Sequence, residues 1–137
     1  MVLRYTYSDI NEFEMICILA VDDVHVNREL IRSILEPLGY QVILAHNVEQ
    51  GMVLARLVSP DLILSDLHMP DQDGFMFITS VKSDPHLSQI PFVFLSSSVW
   101  GEKDQRKGLS LGAMRFILRP IEPQQLLREV EECLNQR

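Results

Sequence analysis

The chain has 137 residues, 47% of them hydrophobic and 23% charged, which suits one globular domain with its own core. Twelve basic residues stand against 19 acidic ones, a net charge of −7, so the chain lacks the basic face that general nucleic-acid binding needs. No apolar run reaches the roughly 18 residues of a membrane span and residues 1–16 carry no signal-peptide pattern, so a cytoplasmic chain is expected, with Cys17 and Cys133 as reduced thiols in or near the core.

Residues 1–14 mix Tyr5, Tyr7, Asp9, Asn11 and Glu12 without a sustained period. They are expected to form an N-terminal extension carrying one helical turn, and residues 15–137 the domain proper. Ile16 to Val21 is an apolar run, read as a first strand, and it stops at Asp22-Asp23. Val26, Leu30, Ile31, Ile34, Leu35 and Leu38 then recur at three- and four-residue spacings, the pattern of an amphipathic helix. Pro37 lies in its last turn, and Gly39 ends it as a C-terminal cap. Tyr40 to Ala45 predicts a second strand, and Asn47 with Gln50 a capping box that opens a helix to about Val58. Asp61 to Asp66 is a third strand, again ending in aspartate, and Met69 to Gly74 is rich in turn residues. A helix over about Phe75–Ser83 follows, then a strand over Pro91–Leu95 ending in serines. A polar helix over Glu102–Leu111, a strand over Arg115–Leu118 and a last helix over Pro123–Asn135 complete the chain.

Five strands alternating with five helices predict an α/β domain, a parallel sheet covered on both faces by right-handed crossovers. In such sheets reactive groups gather at the carboxyl ends of the strands. Asp22, Asp23, Asp66, Ser96 and Arg119 all stand at strand ends. A single aspartate there is commonly a turn residue or a cap, but three carboxylates at one rim repel unless a cation, a proton or a basic side chain joins them, and the pattern favours an oxygen-ligated divalent site of the Mg²⁺ type. Asp66 is then the acid best placed to attack phosphorus, with Ser96 and Arg119 stabilising charge on the phosphoryl oxygens. His25, His46, His68 and His86 have no metal spacing and are expected in loops or on the surface, His68 being close enough to Asp66 to face the site. A metal-dependent hydrolase passing through an aspartyl phosphate is disfavoured, because His68 stands where that chemistry needs a second aspartate. Dinucleotide binding is weaker still, for no Gly-x-Gly-x-x-Gly follows the first strand.

The acid pair Asp22-Asp23, the run Asp66-Leu67-His68-Met69-Pro70-Asp71-Gln72-Asp73-Gly74, the Ser96 hydroxyl, and Gly112-Ala113 leading to a basic residue and Pro120 resemble the receiver domain of two-component response regulators, over about residues 15–136. The resemblance implies a flavodoxin-like, doubly wound five-stranded parallel sheet of strand order 2-1-3-4-5. It implies a phosphoryl group taken from a histidine kinase or phosphotransfer protein onto Asp66, with no catalysis beyond the chain's own phosphorylation and dephosphorylation. Mg²⁺ would be held by Asp23, Asp66 and the backbone carbonyl of His68, with Asp22 acting in part through water. Ser96 and Phe116 match the family's switch pair, and the face of the fourth helix, fifth strand and fifth helix would be read by an output domain or downstream protein. The same surface is where a homodimer would form, and no nucleic acid or membrane contact is implied. Arg119 departs from the pattern, which has lysine before the proline. An arginine fork prefers paired oxygen contacts where an ammonium is a compact point charge, and this departure supports a second reading, a pseudo-receiver that engages partners without phosphorylation. No output domain is visible, so a stand-alone regulator and a receiver excised from a hybrid kinase or longer regulator are both open, and the helix running to the last residue favours the latter.

Overall fold

A computed structural model describes residues 3–5, 13–97 and 101–136. Strands β1 (Leu3–Tyr5) and β2 (Phe13–Met15) pair antiparallel, with Arg4 opposite Glu14. Strand β2 spans the expected boundary at residue 14, and residues 6–12, where the helical turn expected in the extension would fall, lie outside the described residues. The alternating pairing seen here depends on two short segments meeting, a non-local event that three-residue strands do not announce in sequence.

The main sheet is built from β3 (Cys17–Val21), β4 (Gln41–Ala45), β5 (Leu62–Ser65), β6 (Phe92–Ser96) and β7 (Arg115–Leu118), all parallel, in the order β4-β3-β5-β6-β7. This is the 2-1-3-4-5 order expected of the five. The crossovers are α1 (His25–Leu35), α2 (Val48–Val58), α3 (Gly74–Ser83) and α4 (Gly101–Ser110), and α5 (Pro123–Asn135) follows the last strand. Every residue of β3, β5 and β6 is buried, as continuous apolar runs in a doubly covered sheet must be.

Strand alternation divides the core. Ile18, Ala20, Leu62, Leu64, Val93 and Leu95 face one way and pack with Ile31 and Leu35 of α1 and Leu126 and Val130 of α5. Leu19, Val21, Ile63, Phe92 and Phe94 face the other way, onto Met52 and Ala55 of α2 and Phe77, Ile78 and Val81 of α3. Both cysteines are buried and neither is in a disulfide, as expected.

Local signals set the ends. The helix read as running to Leu38 turns 3₁₀ over Glu36–Leu38, because Pro37 brings no N–H to the α-helical ladder. Gly39 then takes φ 96°, the left-handed cap position. Asn47 Oδ1 accepts from the Gln50 amide at 2.8 Å, while Gln50 Oε1 accepts from the His46 amide at 2.8 Å, a capping box displaced by one residue on its return bond. Among the described residues no helix is long and apolar enough to cross a membrane.

Candidate functional site

Parallel pairing in register makes β3 and β5 end together: Val21 lies beside Ser65, so Asp22 and Asp66 leave the sheet side by side. The Asp66 amide donates to Val21 O at 2.8 Å and the Asp22 amide to Ala45 O at 3.1 Å, which extends the ladder by one residue and fixes both backbones. One carboxylate oxygen from each of Asp22, Asp23 and Asp66 falls within 4.8 Å of the others. Asp22 is fully buried and Asp66 nearly so, while Asp23 reaches solvent.

Each acid is held differently. Asp22 Oδ1 accepts from the Val24 amide at 2.8 Å, a turn that carries the chain into α1. Asp22 Oδ2 lies 2.8 Å from Arg119 Nη2, a charge contact that is too far off line to count as a hydrogen bond. Asp66 Oδ1 accepts from the Leu67 amide at 2.8 Å and lies 4.0 Å from Arg119 Nη1. Burial pushes the Asp66 carboxyl above its ordinary value, and the Asp22 charge pushes it further. The Leu67 amide and Arg119 pull it back without reversing the shift, and Asp23 adds a smaller upward push.

Arg119 follows β7 and is joined to Pro120 by a cis peptide bond. Its amide donates to Ser96 O at 2.8 Å, which ties it to the end of β6. Ser96 is buried at that same edge. Phe116 lies apart from the acids, with its ring buried 5.4 Å from the Phe94 ring and against Gly108 of α4. The other three histidines are exposed, as expected, and so is the His68 side chain, which turns to α4, where Nε2 lies 3.7 Å from Asp104 Oδ2.

Two supporting residues, Arg28 and Ser65, escaped sequence reasoning, and two residues of the turn-rich run, Asp73 and Gly74, gain structural roles that the run itself did not announce. Arg28 reaches back from α1 and donates from Nη1 to Asp22 O at 2.7 Å; a basic residue six places after the acid, on the first turn of the following helix, is the signal that could have found it. Ser65 Oγ donates to Asp66 O at 2.7 Å. Gly74 is needed because a Cβ there would lie 2.6 Å from Asp66 O and 2.7 Å from the Phe94 ring. Asp73 serves as the N-cap of α3, accepting from the Met76 amide at 2.9 Å, and so seats that helix against the Asp66 loop.

Hard carboxylate oxygens, two of them on buried residues and closer than their mutual repulsion favours, fit a divalent ion of the Mg²⁺ class. Residues 18–131 match the family described as "Response regulator receiver domain". The chain is 30% identical over 123 residues to Protein PilH of Pseudomonas aeruginosa, covering 85% of this chain and 96% of that one. It is 34% identical over 113 residues to Response regulator PleD of Caulobacter vibrioides, covering 82% of this chain but only 25% of PleD. The structure of the chemotaxis protein CheY4 of Vibrio cholerae superposes with a TM-score of 0.82 at 27% identity, covering 88% of this chain and 99% of that one. A strand order, an acid rim and a sequence match that all agree place this chain in the response regulator receiver family.

Proposed function

We propose that the chain is a phosphoacceptor receiver in which Asp66 takes a phosphoryl group from a histidine kinase or phosphotransfer protein in the cytoplasm. The observation that carries the reading is the meeting of three carboxylate oxygens within 4.8 Å at the ends of β3 and β5, with a guanidinium beside them. Oδ1 of Asp66 is engaged by the Leu67 amide, which leaves Oδ2 to attack phosphorus as the bond from phosphorus to the donor imidazole breaks. Asp23 and Asp66, with the His68 carbonyl and Asp22, would hold Mg²⁺, which when bound supplies positive charge to the phosphoryl oxygens. Ser96 offers its hydroxyl to the same oxygens, and Phe116 already fills an inward apolar pocket beside Phe94. The surface of α4, β7 and α5 is then the part a partner or output domain reads, a two-state element biased by a new dianionic group. No other substrate is turned over.

Intact-protein mass after incubation with acetyl phosphate and Mg²⁺ tests this. One added phosphoryl group is expected, lost with Asp66→Asn and lost when the metal is chelated; an adduct that survives Asp66→Asn defeats the assignment. The pseudo-receiver reading is favoured by one observation, the Arg119 contact with Asp22 that occupies part of the acid rim. Absence of any adduct, together with no response to beryllofluoride, would establish it instead.

A further inference from the structure

Arg119 belongs to two neighbouring environments. Its Nη2 sits on Asp22 Oδ2, and the same side chain forms a wall of a cavity of about 370 Å³ that is also lined by Asn27, Leu30, Ile34, Ser97, Ile121 and Leu126. Its fork is half used: Nη1 is buried, makes no hydrogen bond and stops 4.0 Å from Asp66 Oδ1. A guanidinium is at its strongest with two parallel bonds to one carboxylate, so the seat on Asp22 is a charge contact without the paired bonds that would lock it.

We propose that Arg119 is a resident counter-cation which competes with the divalent ion for Asp22 and, when displaced, moves its guanidinium into the groove between α1 and α5. The inference rests on the reading of the acid rim as a divalent site. The two cations draw on the same buried carboxylate, and a guanidinium left beside a divalent charge is repelled. The groove is the space next to it. Leu30, Ile34 and Leu126 can cover the stem and the flat faces of the fork, and Asn27 and Ser97 offer neutral acceptors. Among the described residues no carboxylate lines it, so the groove is the weaker seat and is taken only when Asp22 is claimed. Ion binding at the strand edge therefore reshapes the α1 side of the domain before any phosphoryl transfer, by a route separate from Ser96 and Phe116.

Calorimetric titration with MgCl₂ compares wild type, Arg119→Met and Asn27→Phe, each checked for folding by circular dichroism. Arg119→Met is expected to bind about tenfold more tightly, roughly 1.4 kcal/mol, because it keeps the stem and removes the competing charge. Asn27→Phe, whose ring fills the groove, is expected to bind several-fold more weakly. In wild type, Mg²⁺ should shift the NMR signals of the Arg119 Nε–H and of the Leu30 and Leu126 methyl groups together. Equal or weaker Mg²⁺ binding by folded Arg119→Met, or groove methyls that stay still while Mg²⁺ binds wild type, overturns the proposal. Acetyl phosphate labelling separates the two levels: wild type that binds Mg²⁺ and is labelled at Asp66 leaves the receiver reading intact whatever Arg119 does. Failure of every variant to bind Mg²⁺ removes both.

Discussion

Asp66 is a buried acid kept near two others, and its raised pKa has a thermodynamic sign. In the unfolded chain it ionises near its ordinary value of 3.8; in the folded chain burial and Asp22 make it keep its proton to higher pH. Between the two values the folded state binds more protons, so this group's contribution to stability is greatest at low pH and falls as pH rises through the folded value. Asp66→Asn removes the ionisation. In metal-free urea titrations, its stability relative to wild type should therefore rise from acid to neutral pH, and a difference that is flat or falls with pH would contradict the burial argument. Arg119 is the other residue whose identity matters. A lysine ammonium is a movable point charge with three donors, whereas the arginine fork is drawn to Asp22. Arg119→Lys should enlarge the beryllofluoride-induced shift of the Phe116 ring signals by a clear margin, and an unchanged or smaller shift would refute that view. The sequence made Asp22, Asp23, Asp66 and Arg119 legible because strand ends in a parallel sheet share one edge. Which acid the arginine would choose was not legible, since that depends on distances between β3, β5 and β7 that no local pattern encodes.

At the scale of elements, the periodic segments were readable to within a few residues because apolar spacing and cap chemistry are local. Asn47, Pro37 and Gly39 each carry their own backbone consequence wherever they occur. The β1–β2 pair was not readable, because its strands span three residues each and gain their order from one another. Gly74 shows the same limit at the site: its place after Asp73 reads as a turn, yet the structure needs it for the approach of α3 to the Asp66 backbone. Adding a methyl group puts Cβ 2.6 Å from a backbone oxygen that cannot swing aside as a flexible side chain could. Gly74→Ala should consequently cost about 1–3 kcal/mol in chemical denaturation, the scale of overpacking, even though alanine is the better helix former. Phosphoryl uptake should slow as well, since relief requires the Asp66 loop or the first turn of α3 to move. A neutral or stabilising effect would mean that the helix shifts freely and that its contact with the loop does not position Asp66.

The whole molecule carries its acidic excess unevenly, and that has a measurable consequence. Among the described residues most charged side chains reach solvent, where salt screens them, but the rim acids are fixed by the sheet and cannot separate. Folding therefore brings together a repulsion that the unfolded chain avoids, and a divalent ion that binds only the folded rim offsets it. Such an ion at ten times its dissociation constant adds about 1.4 kcal/mol, enough to raise Tm by a few degrees in a domain of this size. Ionic strength must be matched with NaCl, because general screening of a chain with net charge −7 also stabilises it. Asp23→Asn supplies the contrast: Asp23 reaches solvent, so its replacement should leave metal-free stability equal or slightly higher while abolishing most of the Mg²⁺ increment. If matched NaCl reproduces the whole effect of MgCl₂, or if Asp23→Asn keeps the increment, the stabilisation comes from the surface at large and the rim is not where the ion acts.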